Sequence, residues 1–136
     1  MSYKMKILNL TQHSATAEQI AAGVVTYAPG AVKVLLDFQT LPTVADVWQR
    51  ARQLAQLAKA SGASQAMIGG APFLMPELEF QLKAVGVSPL YAFSVRESVE
   101  STQPNGSVVK TAVFRHVGFY NPVLPVMGDD LTFEGE

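Results

Sequence analysis

The chain has 136 residues, 49% apolar and 15% charged, with a formal net charge of −1 and a pI near 6.1. That length suits one domain with a proper core and is too short for two, while near-neutrality argues against a long polyanion as partner, because duplex binding needs many Lys and Arg contacts to phosphate. There is no cysteine, which excludes disulfides, thiolate nucleophiles and zinc-thiolate sites.

The opening stretch MSYKMKILNL lacks the apolar length of a signal peptide. No run approaches the roughly 18 apolar residues of a membrane span. The expectation is a cytoplasmic protein that meets no membrane. Lys4 to Leu10 reads as the first strand, ending in the polar stretch TQHS. Thr16 and Gln19 have capping-box spacing, so a helix is expected from Ala17 to about Val24. Val32 to Phe38 is a short apolar run that fits a strand or a helix equally well.

Thr43 opens the clearest helix. Val44, Val47, Trp48, Ala51, Leu54, Ala55 and Ala58 make one apolar face at i, i+3, i+4 spacing, and Gly62 stands where a left-handed terminating residue belongs. SQAMIGG is the next strand. A helix follows, entered near Pro72 or Pro76 and closed by Gly86, and PLYAFSVR is a further strand. Asn105-Gly106 between two β-rich runs signals a hairpin. Strands alternating with helices predict an α/β fold, a Rossmann-like, mainly parallel sheet flanked by helices with a C-terminal antiparallel β-hairpin. Residues 1–120 form the single domain. Residues 121–136, with Pro122, Pro125 and four acids, form an irregular tail.

With Asn105 and Gly106 as a two-residue loop, opposed residues sum to 211. Arg96 then faces Arg115, Ser98 faces Val113, and Glu100 faces Thr111. Two arginines set side by side repel unless compensated. Either they splay into solvent beside Glu97 and Glu100, or they hold a phosphate, whose oxygens suit the guanidinium fork.

In open α/β sheets, ligands gather outside the carboxyl ends of strands. Three such ends carry polar groups. Thr11, Gln12, His13 and Ser14 precede a helix start, which favours anions or serves only for capping by Thr16. Gly69 and Gly70 let backbone N–H groups approach a ligand, or simply make a tight turn. Ser94, Arg96, Glu97, Ser98 and Glu100 form the third. His13 has the better address for a general acid, whereas His116, in an apolar strand, reads as structural. Two histidines exclude a histidine-rich metal site, no GxSxG elbow or Walker motif is present, and no metal or cofactor is expected.

The layout resembles the small ring nucleases of viruses and type III CRISPR systems, which cleave cyclic oligoadenylates. The likeness rests on ILNLTQHSAT, MIGGAPF, SVRESVE and the late aromatic strand VGFY. It implies a metal-independent, dimeric enzyme in which a ribose 2′-hydroxyl attacks the adjacent phosphate. On that likeness Arg96 clamps the phosphate and Glu97 or Glu100 supplies the carboxylate. The family's histidine after Ile-Gly falls on Gly70, so either His13 replaces it or the protein binds without cutting. The leading expectation is a metal-independent phosphodiesterase on a cyclic or short oligoribonucleotide, with His13, Arg96 and Glu100 catalytic and Arg115 nearby. The alternatives are a nucleotide-binding module and a small interaction domain. Apolar content and the aromatics Phe73, Phe80, Tyr91, Phe119 and Tyr120 also raise the expectation of a homodimer.

Overall fold

A computed structural model describes residues 6–122; the expected tail therefore lies, beyond Pro122, outside the described residues. The fold is mixed α/β. Strands β1 (Ile7–Leu10), β2 (Val24–Val25), β3 (Gln65–Ile68), β4 (Ser88–Thr102) and β5 (Val108–Tyr120) form one sheet in the order β2-β1-β3-β4-β5. The first four run parallel, and β4 and β5 are antiparallel. The connections carry helices α1 (Ala17–Ala21), α2 (Pro29–Leu36), α3 (Val44–Ser61) and α4 (Met75–Ala84). Among the described residues, no helix is long and apolar enough to cross a membrane.

Strand alternation divides the apolar residues between two faces. Leu8, Leu10, Ala66 and Ile68 join Leu36, Leu54, Ala58, Leu78 and Leu82 of the helices in the main core; this is the α3 side of the sheet. Ile7, Met67 and Leu90 look the other way, with Val24, Ala15 and Phe119 around them; this is the α1 side. The capping box at Thr16 and Gln19 is present in full. Helix α1 nevertheless stops at Ala21, short of Val24, because Gly23 takes a positive φ of 111° and the two β-branched valines after it pair with β1.

The ambiguous run resolves as helix. Pro29 starts α2, and Val32 and Leu36, four residues apart, are both buried in the core. Arg50 of α3 secures its far end. The guanidinium donates to the carbonyls of Val34 and Leu35, both at 3.4 Å, and to that of Asp37, ion-pairs with Asp46 at 3.1 Å, and lies 4.2 Å from the centre of the Phe38 ring. It thereby caps the carbonyls at the end of the helix, sharing that of Val34 with the Asp37 N–H at 3.3 Å.

The hairpin is long and its register differs from the expected one. Strand β4 last pairs with β3 at Leu90 and then runs on to Thr102 with β5 as its only strand neighbour among the described residues. At about 3.4 Å per residue, this makes an arm roughly 40 Å long. At its tip the Gly106 N–H donates to Gln103 O at 2.9 Å and the Gln103 N–H to Ser107 O at 2.7 Å. Gly106 has φ 86°, so Pro104-Asn105-Gly106 forms a three-residue loop, a type I turn followed by a left-handed glycine. Proline's fixed φ favours the first central position of a type I turn, and Asn105 Oδ1 braces it by accepting from the Ser107 N–H and hydroxyl.

Opposed residues along the arm therefore sum to 210. Arg96 faces Phe114, Arg115 faces Val95, and Glu100 faces Lys110. The expected pairing of Arg96 with Arg115 is overturned, and strand parity sends the two arginines to opposite surfaces. Arg115 instead meets Glu97 at 3.5 Å, and Lys110 meets Glu100 at 3.7 Å. Nearer the sheet, a shift between Phe93 and Ser94 leaves Val117 as the extra residue, so that Ala92 faces Phe119.

Candidate functional site

The site begins with a polar residue in an apolar strand. Asn9 is 92% buried, being 8% exposed, and its amide organises the loop that leaves β1. Its Oδ1 accepts from the Thr11 N–H at 3.0 Å and from the Thr11 hydroxyl at 2.6 Å, while its Nδ2 donates to the His13 carbonyl at 2.8 Å. The loop is thereby folded back over the carboxyl end of the strand, and Gln12, His13 and Ser14 are exposed upon it. A side-chain carbon added at Gly69 would stand 3.4 Å from Thr11 Cγ2, in van der Waals contact, so β3 and this loop lie side by side here.

Two cavities open around the loop. One, of about 280 Å³, reaches from Asn9 and Gln12 to Thr26 and Lys33. The other, of about 320 Å³, is bounded by Gln19, Met67, Gly69, Tyr91 and Ala92. Thr11, His13 and Ser14 line both. The two hollows therefore flank one polar loop at the carboxyl end of the parallel sheet.

A model of the Uncharacterized protein MJ1673 family matches residues 5–120. The chain belongs to that family. No curated protein and no solved structure matches it.

The family match takes in the sheet, the polar loop and the whole arm. Of the residues singled out from sequence, Thr11, Gln12, His13, Ser14 and Gly69 gather around the cavities. Gly70 lines neither; its φ of 147° belongs to glycine, which explains why a histidine cannot stand there on this backbone. The arm residues divide by parity. Ser94, Arg96, Ser98 and Glu100 share the α1 side with Ala92, which is part of the second cavity. Glu97 and Arg115 lie on the α3 side, away from it. Arg96, four residues beyond Ala92, stands roughly 13 Å further along the strand, above the carboxyl edge of the sheet.

Sequence reasoning passes over Asn9, reads His116 as structural and counts Tyr91 only among the apolar aromatics. Asn9 was hidden in ILNL, although a polar residue inside an apolar strand is a signal in itself. His116 sits opposite Ser94 on the α1 side, its ring 4.8 Å from that of Phe119, and its Nδ1 is buried without a hydrogen-bond partner among the described residues. Tyr91 donates its hydroxyl to Glu79 at 2.6 Å. Burial and that carboxylate together hold its phenol well above the ordinary range. Among the described residues, no group of three or more His, Asp and Glu side chains is placed to hold a metal ion.

Proposed function

We propose that the carboxyl-end site binds a small phosphate-bearing ligand of the nucleotide class. The reading takes the fold as Rossmann-like, where ligands rest outside the strand ends. One observation carries it: Thr11, His13 and Ser14 are common to two adjoining cavities. Lys33 edges one of them, and Arg96 rises on the same side of the arm as Ala92, which edges the other. Hydroxyls and the imidazole suit ribose and base edges, and the two cations suit phosphate.

Binding takes precedence over cleavage because the register separates the arginines. A cation pair concentrated on one phosphate would have favoured the developing charge of a transition state; a lone Arg96 favours affinity. Metal-independent phosphodiester cleavage remains the second reading, favoured by the exposure of His13 between the two cavities. There a ribose 2′-hydroxyl would attack phosphorus and release its proton to water, the bond to the 5′-oxygen would break to leave a 2′,3′-cyclic phosphate, and His13, entering as the imidazolium, would protonate the leaving oxygen and end neutral.

The test is a thermal-shift and calorimetric panel of mononucleotides and cyclic oligoribonucleotides in EDTA, since a ligand specific to the native state raises the melting temperature. Arg96→Ala is expected to weaken the responding ligand about tenfold or more, an ionic hydrogen bond being worth about 1.5–3 kcal/mol. Arg115→Ala is expected to leave affinity unchanged. A cyclic-phosphate product lost in His13→Ala, with binding retained, adds the catalytic reading. No response to any nucleotide rejects both.

A further inference from the structure

The arm carries two unlike faces. Its α1 side holds Ser94, Arg96, Ser98, Glu100, Lys110 and His116, with Phe114 and Val108 exposed singly among these polar groups. Its α3 side holds Phe93, Val95, Val113, Val99 and Val109, a diagonal apolar stripe that crosses from β4 to β5. All five are exposed, from 37% at Val95 to 56% at Phe93. At the root of this face Gly118 stands opposite Phe93. A side chain added there would meet nothing within 4 Å among the described residues, and a hollow of about 320 Å³ is left between Phe93, Val117 and Tyr120.

We propose that a second copy of this chain covers the α3 side of the arm, two arms packing face to face about a two-fold axis. Three observations favour that occupant. A two-stranded ribbon is marginal by itself in water, and this one extends well past the sheet that supports its root. Its α3-side residues, apolar and polar together, expose on the order of 800 Å², close to one partner's share of a standard-size interface. The ionic content is self-complementary: the stripe is flanked by one acid and one base, Glu97 and Arg115, and a two-fold rotation lets each oppose its counterpart. A polyanion or an acidic lipid surface would call for an excess of cations on this face, which carries no net charge.

The absence of native cysteine makes a clean test available in the full-length chain. Thr111 and Ala112 are adjacent in sequence and on opposite faces of the arm. Single variants Thr111→Cys and Ala112→Cys are treated with a bis-maleimide spanning about 10 Å, the separation of packed sheets. Covalent dimer is expected from Thr111→Cys and at least tenfold less from Ala112→Cys. Light scattering at high micromolar concentration is expected to give twice the chain mass for the native protein, and Val113→Glu is expected to return it to the single-chain mass. A native chain that stays monomeric at that concentration overturns the proposal, as does equal cross-linking at the two positions. A chain ending at Pro122 that dimerises where the full chain does not would assign the face to residues 123–136 and overturn it equally. None of these outcomes depends on whether a nucleotide binds.

Discussion

The base of the molecule and its arm share strand β4 but are held in different ways. In the base, Leu8, Leu10, Leu54, Leu78 and Leu82 are all fully buried, so each strand and helix there is fixed by several others. In the arm, β4 and β5 pair, among the described residues, only with one another, and the cross-strand partners include half-exposed valines and surface ion pairs. Such pairs contribute about 0–1 kcal/mol. Removal of water holds the first region together; backbone hydrogen bonding and one turn set the second. Tolerance of change should therefore differ sharply along a single strand system.

The largest test of that contrast is truncation of matched aliphatic residues. Leu78→Ala, in the base, is expected to cost about 2–5 kcal/mol through lost burial and a cavity. Val108→Ala, on the α1 side of the arm and 57% exposed, is expected to cost under about 1 kcal/mol. Denaturant unfolding of both at one protein concentration checks this, and equal losses would mean that the arm belongs to the same cooperative core.

An intermediate effect is expected where the two regions join, at Tyr91. Its phenol is raised from the ordinary 10.0, so the folded chain keeps this proton at a pH where the unfolded chain releases it. Stability from this group is therefore complete below about pH 10 and declines as pH rises beyond it. Tyr91→Phe is expected to lose about 1 kcal/mol at neutral pH with the Glu79 hydrogen bond and to flatten the alkaline decline. Melting temperatures of both proteins across the alkaline range would show the difference. A parallel decline in the two would remove Tyr91 as its source.

The smallest effect is expected at the tip. Deleting Pro104 leaves Asn105-Gly106 as a two-residue loop closed by Gln103 and Ser107, with Thr102 still opposite Val108. The register is kept, and the change in stability should stay within about 0.5 kcal/mol. Cross-strand nuclear Overhauser contacts between Arg96 and Phe114 would report it. Contacts between Arg96 and Arg115 in that variant would instead mean that the arm slips easily, as weakly buried strands do.

Local chemistry was legible where one residue decides. Thr43 and Thr16 as caps, Gly62 at the end of α3 with φ 79°, the apolar stripe of α3 and the run SQAMI as a strand can each be read from a few neighbouring side chains. The polar loop was also legible, because a strand that stops at TQHS ahead of a capping threonine leaves its polar groups at the sheet edge. Asn9 could have been read and was not; its polarity is evident in the sequence, but which backbone groups it satisfies depends on how the loop folds back.

The sequence by itself determined that this is an alternating α/β chain with a closing hairpin, since periodicity and caps act over a few residues. Tertiary structure alone decided that Val32 to Leu36 is helical, through its burial under α3 and the hold of Arg50 on its end. It also decided which way Arg96 and Arg115 point. Side chains in a strand alternate with a period of two, so the one-residue difference made by Pro104 at the tip, carried down the length of the arm, sends two arginines that were expected together to opposite surfaces.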